Sequence, residues 1–155
     1  MTNAVNMIEF IKKLQQRPRG RACIVFTQDY FKQKEWAIKL AQLTNSKHID
    51  LLELFSEKSE YSDKLGTFSV NKLFKFLQNY DDCSVLIVTG IEFLKAIWMA
   101  QSRAIEQFAS EIETWRNSPA LLFVTQFDIK LAKSKFTRYP DNVYIVDQNN
   151  TLELT

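Results

Sequence analysis

The sequence contains little glycine. Only three of its 155 residues are glycine, namely Gly20, Gly66 and Gly90, which is about 2% where roughly 7% is usual. Loops that bind phosphate through their backbone need glycine, because a side chain would keep the backbone away from the ligand. No glycine lies between Arg21 and Leu65, so a glycine-rich phosphate loop is excluded there. The same scarcity excludes collagen-like chains and Gly/Ser linkers.

Cysteine and histidine are also scarce. Cys23 and Cys83 are too few for a disulfide framework, and their spacing matches no metal-ligand pattern. Each lies in an apolar, strand-like run, so we expect buried, reduced thiols. His48 is the only histidine, and a Ser–His or Cys–His mechanism would depend on it. Its place beside a predicted strand favours a structural role, and we expect no metal site.

Long hydrophobic runs are absent. No stretch approaches the roughly 18 apolar residues of a membrane span, and the N-terminal residues carry an acid early without a basic start and an apolar core. We therefore expect a soluble, cytoplasmic protein that does not contact membranes. Twenty Lys and Arg residues against 18 Asp and Glu residues give a net charge of +2, which assigns no class of partner.

Three continuous apolar runs dominate what is present. Residues 22–27, 83–89 and 120–125 show no alternation, which is typical of strands covered on both faces. Helical periodicity separates them, including one segment that begins at about residue 35 and another that continues from 93 to 116. The pattern predicts a single α/β domain over residues 1–155, a three-layer sandwich with a mainly parallel sheet. A strand ending at Asp147, a turn and a last strand over 151–154 form a candidate C-terminal antiparallel hairpin.

Ligands of parallel α/β sheets bind at the carboxyl ends of the strands. After the first apolar run, Lys34 stands at the predicted start of a helix, where a nucleotide-binding protein places its phosphate lysine. The next residue is Glu35 rather than Ser or Thr, and the bulky Tyr30 and Phe31 replace small residues. A solvated charge at a helix start is the competing interpretation of Lys34.

The ends of the later runs offer further candidates. Thr89 occupies the position where an acid would organise a metal ion, and Glu92 is either a displaced acid or an ordinary exposed glutamate. Arg138 could bind a phosphate or a carboxylate of a partner. Lys34, Thr89, Glu92 and Arg138 are therefore the candidate cofactor-binding residues, and no residue is a confident catalytic candidate.

Two short regions are strongly basic. Arg17, Arg19 and Arg21 precede the first strand, and Lys130, Lys133 and Lys135 follow the third. Clustered cations are candidates for contacts with nucleic-acid phosphates. The nearly neutral chain and the lack of stacking aromatics in either cluster argue against direct DNA binding.

The order of the elements resembles the core of the P-loop NTPases. A helix and an apolar strand precede a lysine-bearing segment, and a second strand near Glu92, a long helix and a third strand ending at Thr125 follow. With its short length and the closing TyrPro-x-x-Val-Tyr over residues 139–144, the chain is most similar to the small P-loop protein of BREX phage-exclusion systems, the BrxF family. The resemblance implies a nucleotide-binding fold within a multi-protein, DNA-directed defence complex.

The nucleotide motifs themselves are degenerate. Only Lys34 matches the phosphate-loop signature, and only the apolar run 85–88 survives of the second motif. We therefore expect a non-catalytic, P-loop-like adaptor or regulatory subunit with a protein partner, which Tyr30, Phe31 and Trp36 could contact. Two alternatives stay open: an unusual ATPase that uses ATP and magnesium, and a direct DNA-binding module. Formation of homo-oligomers also stays open.

Overall fold

The structure is a computed structural model that describes residues 4–57, 68–101 and 103–155. In chain order the elements are α1 (Met7–Gln16), β1 (Ala22–Thr27), α2 (Tyr30–Thr44), β2 (Lys47–Asp50), α3 (Leu51–Glu57), α4 (Val70–Leu77), β3 (Val85–Thr89), α5 (Glu92–Trp98), α6 (Ala104–Thr114), β4 (Ala120–Gln126), α7 (Ile129–Ala132), β5 (Ile145–Asp147) and a 3-10 turn at Gln148–Asn150. Short polar side chains cap the N termini of four of these helices: Asn6 on α1, Asp29 on α2, Ser69 on α4 and Asp128 on α7.

The five strands form one parallel sheet in the order β2-β3-β4-β1-β5. The register places Val25 beside both Val124 of β4 and Val146 of β5. This arrangement confirms the prediction of an α/β fold with a parallel sheet flanked by helices. The three continuous apolar runs are β1, β3 and β4, which occupy interior positions in the sheet.

Both faces of the sheet are buried. In β1, Ile24 and Phe26 point into a core that also contains side chains of α3–α7. Cys23 and Val25 point to the opposite core, which packs against α1 and α2. Burial of Cys23 raises the pKa of its thiol to about 12, so this cysteine stays protonated, as expected for a buried reduced thiol.

Helix α2 begins earlier than the sequence indicates. It starts at Tyr30 rather than near residue 35, because the Asp29 side chain caps it by accepting a hydrogen bond from the backbone N–H of Phe31. Hydrophobic periodicity does not mark this first turn of α2, because the Phe31 side chain is 87% exposed and belongs to no buried face. Lys34 therefore lies one turn inside the helix and not at its start.

The sequence predicts one long helix or two abutting helices over 93–116, and the structure has two, α5 and α6. They are separated at Arg103, whose backbone is left-handed with φ 63°, a conformation that is uncommon for residues other than glycine. The apolar repeat continues across the break because Trp98 and Ile105 belong to the same core.

The chain after β5 does not form the expected antiparallel hairpin. β5 pairs in parallel with β1, the 3-10 turn follows, and Thr151 then makes one parallel bridge with Val5. Asp147 favours this turn because its side chain accepts a hydrogen bond from the N–H of Asn149. Among the described helices, none has both the length and the apolar composition needed to cross a bilayer.

Replacing Phe123 by Ala is expected to lower the free energy of unfolding by about 3–5 kcal/mol, because it leaves a cavity in the larger core. The Phe123 ring is fully buried, with its centroid 5.7 Å from that of Phe74 and 5.1 Å from that of Phe108. Urea denaturation measures the change. The matched control is Phe31→Ala, which should stay within about 0.5 kcal/mol because the ring is exposed. Equal losses in both variants would contradict the assigned core.

Candidate functional site

The candidate site is the carboxyl edge of the sheet, where β1–β4 end in Thr27, Asp50, Thr89 and Gln126. β1 leads into α2 on one face of the sheet, whereas β3 and β4 lead into helices of the other core. Neighbouring strands whose connections leave toward opposite faces create a crevice in which α/β proteins bind ligands. At this edge that crevice lies between β1 and β4.

Glu92 is the centre of a hydrogen-bond network in this crevice. Its Oε2 accepts hydrogen bonds from the hydroxyl of Thr125 at 2.9 Å and from the backbone N–H of Gln126 at 2.9 Å. The same oxygen accepts a hydrogen bond from Nε2 of Gln33 at 3.2 Å. Because Glu92 is the first residue of α5, one carboxylate joins α5, β4 and α2.

Two oxygens of the network are buried without a partner among the described residues. They are Oε1 of Glu92 and Oε1 of Gln33, and Gln33 is only 3% exposed. Buried polar atoms are nearly always hydrogen-bonded, so each oxygen keeps one acceptor position that a hydrogen-bond donor can fill. Glu92 thus has a fixed orientation and is already engaged with the protein.

Lys95 is the cation closest to this network along α5. It is 7% exposed, and its Nζ donates to the carbonyl oxygen of Gln126 at 3.3 Å and lies 3.9 Å from Oδ2 of Asp128. Burial lowers the pKa of Lys95, while the charges of Glu92 and Asp128 act in the opposite direction. The charges of these two carboxylates therefore stabilise the protonated lysine against the cost of its burial.

A second polar group joins β2 to β3. The hydroxyl of Thr89 donates to Oδ2 of Asp50 at 3.2 Å, and Nε2 of His48 lies 2.9 Å from the same hydroxyl oxygen. Because the hydroxyl proton of Thr89 is directed at Asp50, the oxygen of that hydroxyl acts as an acceptor toward His48. Nε2 of His48 is then the donor of this hydrogen bond. Burial lowers the pKa of His48, which favours the neutral ring.

Gly90 allows this arrangement. It has φ +75°, and a Cβ atom there would lie 2.5 Å from Oδ1 of Asp50 and 2.9 Å from the backbone nitrogen of Leu52. The glycine that follows β3 therefore serves the close approach of β2 and not a phosphate.

Lys34 is held by carboxylates at this edge. It forms an ion pair with Glu53 and lies 3.9 Å from Oδ2 of Asp50. The start of α2 carries the carboxylate of Asp29 as its cap, where a phosphate would need free N–H groups. These residues do not fit a nucleoside triphosphate, because the lysine is paired and the helix start is already occupied by an anion.

The structure brings Lys34, Thr89 and Glu92 to the carboxyl edge but places Arg138 elsewhere. Arg138 lines a separate cleft of about 300 Å³ together with Arg19 and Tyr139. Its backbone N–H donates to Oε2 of Glu113 at 2.9 Å. The proposed group of four cofactor residues is therefore not assembled in one place.

The first basic region is mostly engaged with the protein itself. Arg17 donates to the carbonyl oxygens of Gly20 and Val143, both at 3.1 Å, and Arg21 donates to that of Gln15 at 3.0 Å. The guanidinium of Arg19 lies over the ring of Tyr139 at 4.8 Å. These contacts tie α1 and the chain before β5 to the beginning of β1.

The second basic region divides between two clefts. Lys130 and Lys133 line a cleft with Arg103, which the sequence did not single out. Lys135 lines an adjoining cleft together with Glu113, and the two clefts share Glu106 and Ser134. The second basic region is thus interspersed with glutamates.

Several residues of the edge were missed by sequence reasoning: Gln33, Asp50, Lys95 and Asp128. Asp50 had a recognisable signal, since it ends a short strand beside His48. Gln33 and Lys95 had none, because a polar residue on a helix is usually exposed.

Within the described part of the chain, no group of three or more His, Cys, Asp or Glu side chains could hold a metal ion. No model of a known protein family matches the sequence. A search of curated proteins likewise finds no significant match. The similarity to the P-loop and BREX proteins therefore stays a prediction.

Glu92→Ala is expected to lower the free energy of unfolding by about 2–5 kcal/mol, because three donors lose a charged acceptor in the interior. Urea denaturation measures the loss. The control is Glu35→Ala on the exposed side of α2, which should change stability by less than about 0.5 kcal/mol. A negligible effect of Glu92→Ala would contradict the central role of this carboxylate.

His48 predicts a pH dependence of stability. Its pKa is lowered by burial, so below the unfolded pKa of about 6.5 the unfolded chain binds more protons and stability falls with decreasing pH. Above that pH the contribution is fully present. Urea denaturation at pH about 7.5 and about 5.5 should show a smaller loss for His48→Gln than for the wild type. Identical losses would show that His48 does not couple to folding.

Proposed function

We propose that the protein is a non-catalytic, P-loop-like adaptor or regulatory subunit of a multi-protein, DNA-directed complex that serves antiviral defence. One observation supports the non-catalytic part of the proposal. The Lys34 side chain on α2 is already paired with carboxylates of the protein, those of Glu53 and Asp50. The element order and its resemblance to the BREX phage-exclusion proteins support the kind of complex.

The charge at the carboxyl edge supports a protein ligand over a nucleotide. Four carboxylates, those of Asp29, Asp50, Glu53 and Glu92, surround the start of α2 and the ends of the strands. A triphosphate would have to approach these charges, and Lys34 would have to leave its partners. The energetic cost of both steps disfavours nucleotide binding at this edge.

Large apolar side chains at the same edge provide the partner surface. We call Phe31, Phe127 and Ile129 the apolar edge; they are 87%, 59% and 57% exposed. They follow the neighbouring strands β1 and β4, and the Phe127 ring packs edge-on against Phe26 with the centroids 5.3 Å apart. Exposed aromatic residues on rigid elements are typical anchors of protein interfaces. Trp36, by contrast, packs partly against the core formed with α1 and α2.

The test is co-expression of the full chain with each protein encoded beside it, followed by size-exclusion chromatography with light scattering. We expect a stable complex with at least one of them. The double variant Phe31→Ser, Phe127→Ser should raise the dissociation constant of this complex about tenfold or more, the loss of affinity typical of interface anchors. Val143→Ser, Leu152→Ser is the matched control, since each side chain is 49% exposed and lies outside the apolar edge.

Three outcomes would overturn the proposal. A chain that stays alone with every neighbouring gene product is not an adaptor of that complex. A rise in melting temperature with Mg-ATP that Lys34→Ala abolishes would instead favour the ATPase alternative, because a ligand of the native state raises stability by mass action. Duplex DNA binding that falls steeply with salt would favour the DNA-binding alternative.

A further inference from the structure

We propose that a cleft between α5, α6 and α7 binds a small organic phosphate of about nucleotide size. The residues that line this basic cleft include Arg103, Lys130, Lys133, Ser134 and Met99. Its volume of about 410 Å³ lies within the range of small-molecule sites. The inference is independent of the function proposed for the carboxyl edge.

The cations of the basic cleft outnumber its acids. Arg103, Lys130 and Lys133 line the cleft and make no ion pair with any described residue. The cleft contains a single acid, Glu106. Three cations that line one concave surface create a positive potential that attracts an anion. Arg and Lys side chains are the usual ligands of phosphate groups.

The start of α6 adds to this potential. Arg103 is the residue before the first turn, and no side chain caps the helix there. Ala104 and Ile105 belong to that first turn and are among the residues that line the cleft, so the positive end of the helix dipole acts in the same direction as the three cations.

An exposed apolar side chain in the cleft defines the rest of the ligand. Met99 lines the cleft and is 62% exposed. A bare phosphate would leave this side chain without a contact, whereas a ligand with a flat, poorly hydrated body would cover it. A nucleoside monophosphate combines such a body with the anion.

The shape favours a small molecule over a nucleic-acid strand. Arg103, Lys130 and Lys133 line one cavity, whereas Arg17 and Arg21 of the first basic region donate to backbone carbonyls. A DNA backbone needs cations spread along a surface, since each contact neutralises one phosphate. The same phosphate chemistry at the end of a DNA strand is distinguished by the experiment below.

The test is calorimetric titration of the full chain with the four ribonucleoside 5′-monophosphates, with inorganic phosphate, with the unphosphorylated nucleosides and with a short DNA single strand that carries a 5′-phosphate. We expect at least one monophosphate to bind with a dissociation constant on the order of 1 mM or lower. The double variant Arg103→Ala, Lys133→Ala should raise the dissociation constant of that monophosphate at least about tenfold. Lys39→Ala, Arg116→Ala is the control, because it removes the same charge from exposed positions outside the cleft.

Each other result overturns the proposal. Equal weakening in both double variants would mean that the overall charge, and not the cleft, attracts the ligand. Inorganic phosphate that binds as tightly as the nucleotides would remove the apolar contact. Binding of a short single strand with a 5′-phosphate but of no mononucleotide would assign the cleft to nucleic acid, and no binding of any probe would leave the cleft without the proposed ligand.

Discussion

Burial of the sheet on both faces is the constraint on which the rest of the structure depends. The side chains of β1, β3 and β4 are apolar at nearly every position and pack into two cores on opposite sides. The backbone N–H and C=O groups of these strands are hydrogen-bonded to the neighbouring strands. Polar chemistry is therefore confined to the edges of the sheet and to the helix surfaces. Glu92 follows β3 after only two residues, at the carboxyl edge of the sheet.

The two polar regions of the molecule differ in how completely the protein satisfies them. At the carboxyl edge, Lys34, Lys95 and Glu92 bind neighbouring protein groups. A charged group that is paired within the protein holds elements together but is a poor ligand for something else, because the pair must first be broken. In the basic cleft the cations have no partner in the described chain, so an anion would gain their attraction without that loss. The edge thus has the character of a scaffold, and the cleft that of a receptor.

The sequence predicts the parallel α/β fold because uninterrupted apolar runs have few other uses in a chain of this length. It is less exact where the local backbone conformation sets the end of an element. The sequence predicts the start of α2 near residue 35, whereas the Asp29 cap places it at Tyr30. The sequence also leaves open whether 93–116 is one helix or two, and a left-handed Arg103 precedes the second of the two. The edge was predicted in part through Lys34, Thr89 and Glu92. Arg138 was grouped with them because sequence distance does not show that the chain returns past Arg19.

The position of β2 in the sheet has a consequence for hydrogen exchange. β2 is four residues long, only partly buried and paired on one side alone, with β3. Short edge strands open by local fluctuation, whereas interior strands exchange only when the whole domain unfolds. His48 and Asp50 therefore lie on a segment that can detach while Glu92 and Thr125 stay in place. The amides of β2 should exchange with solvent faster than those of β4. The carboxyl edge thus consists of a labile half at β2 and a rigid half at β4.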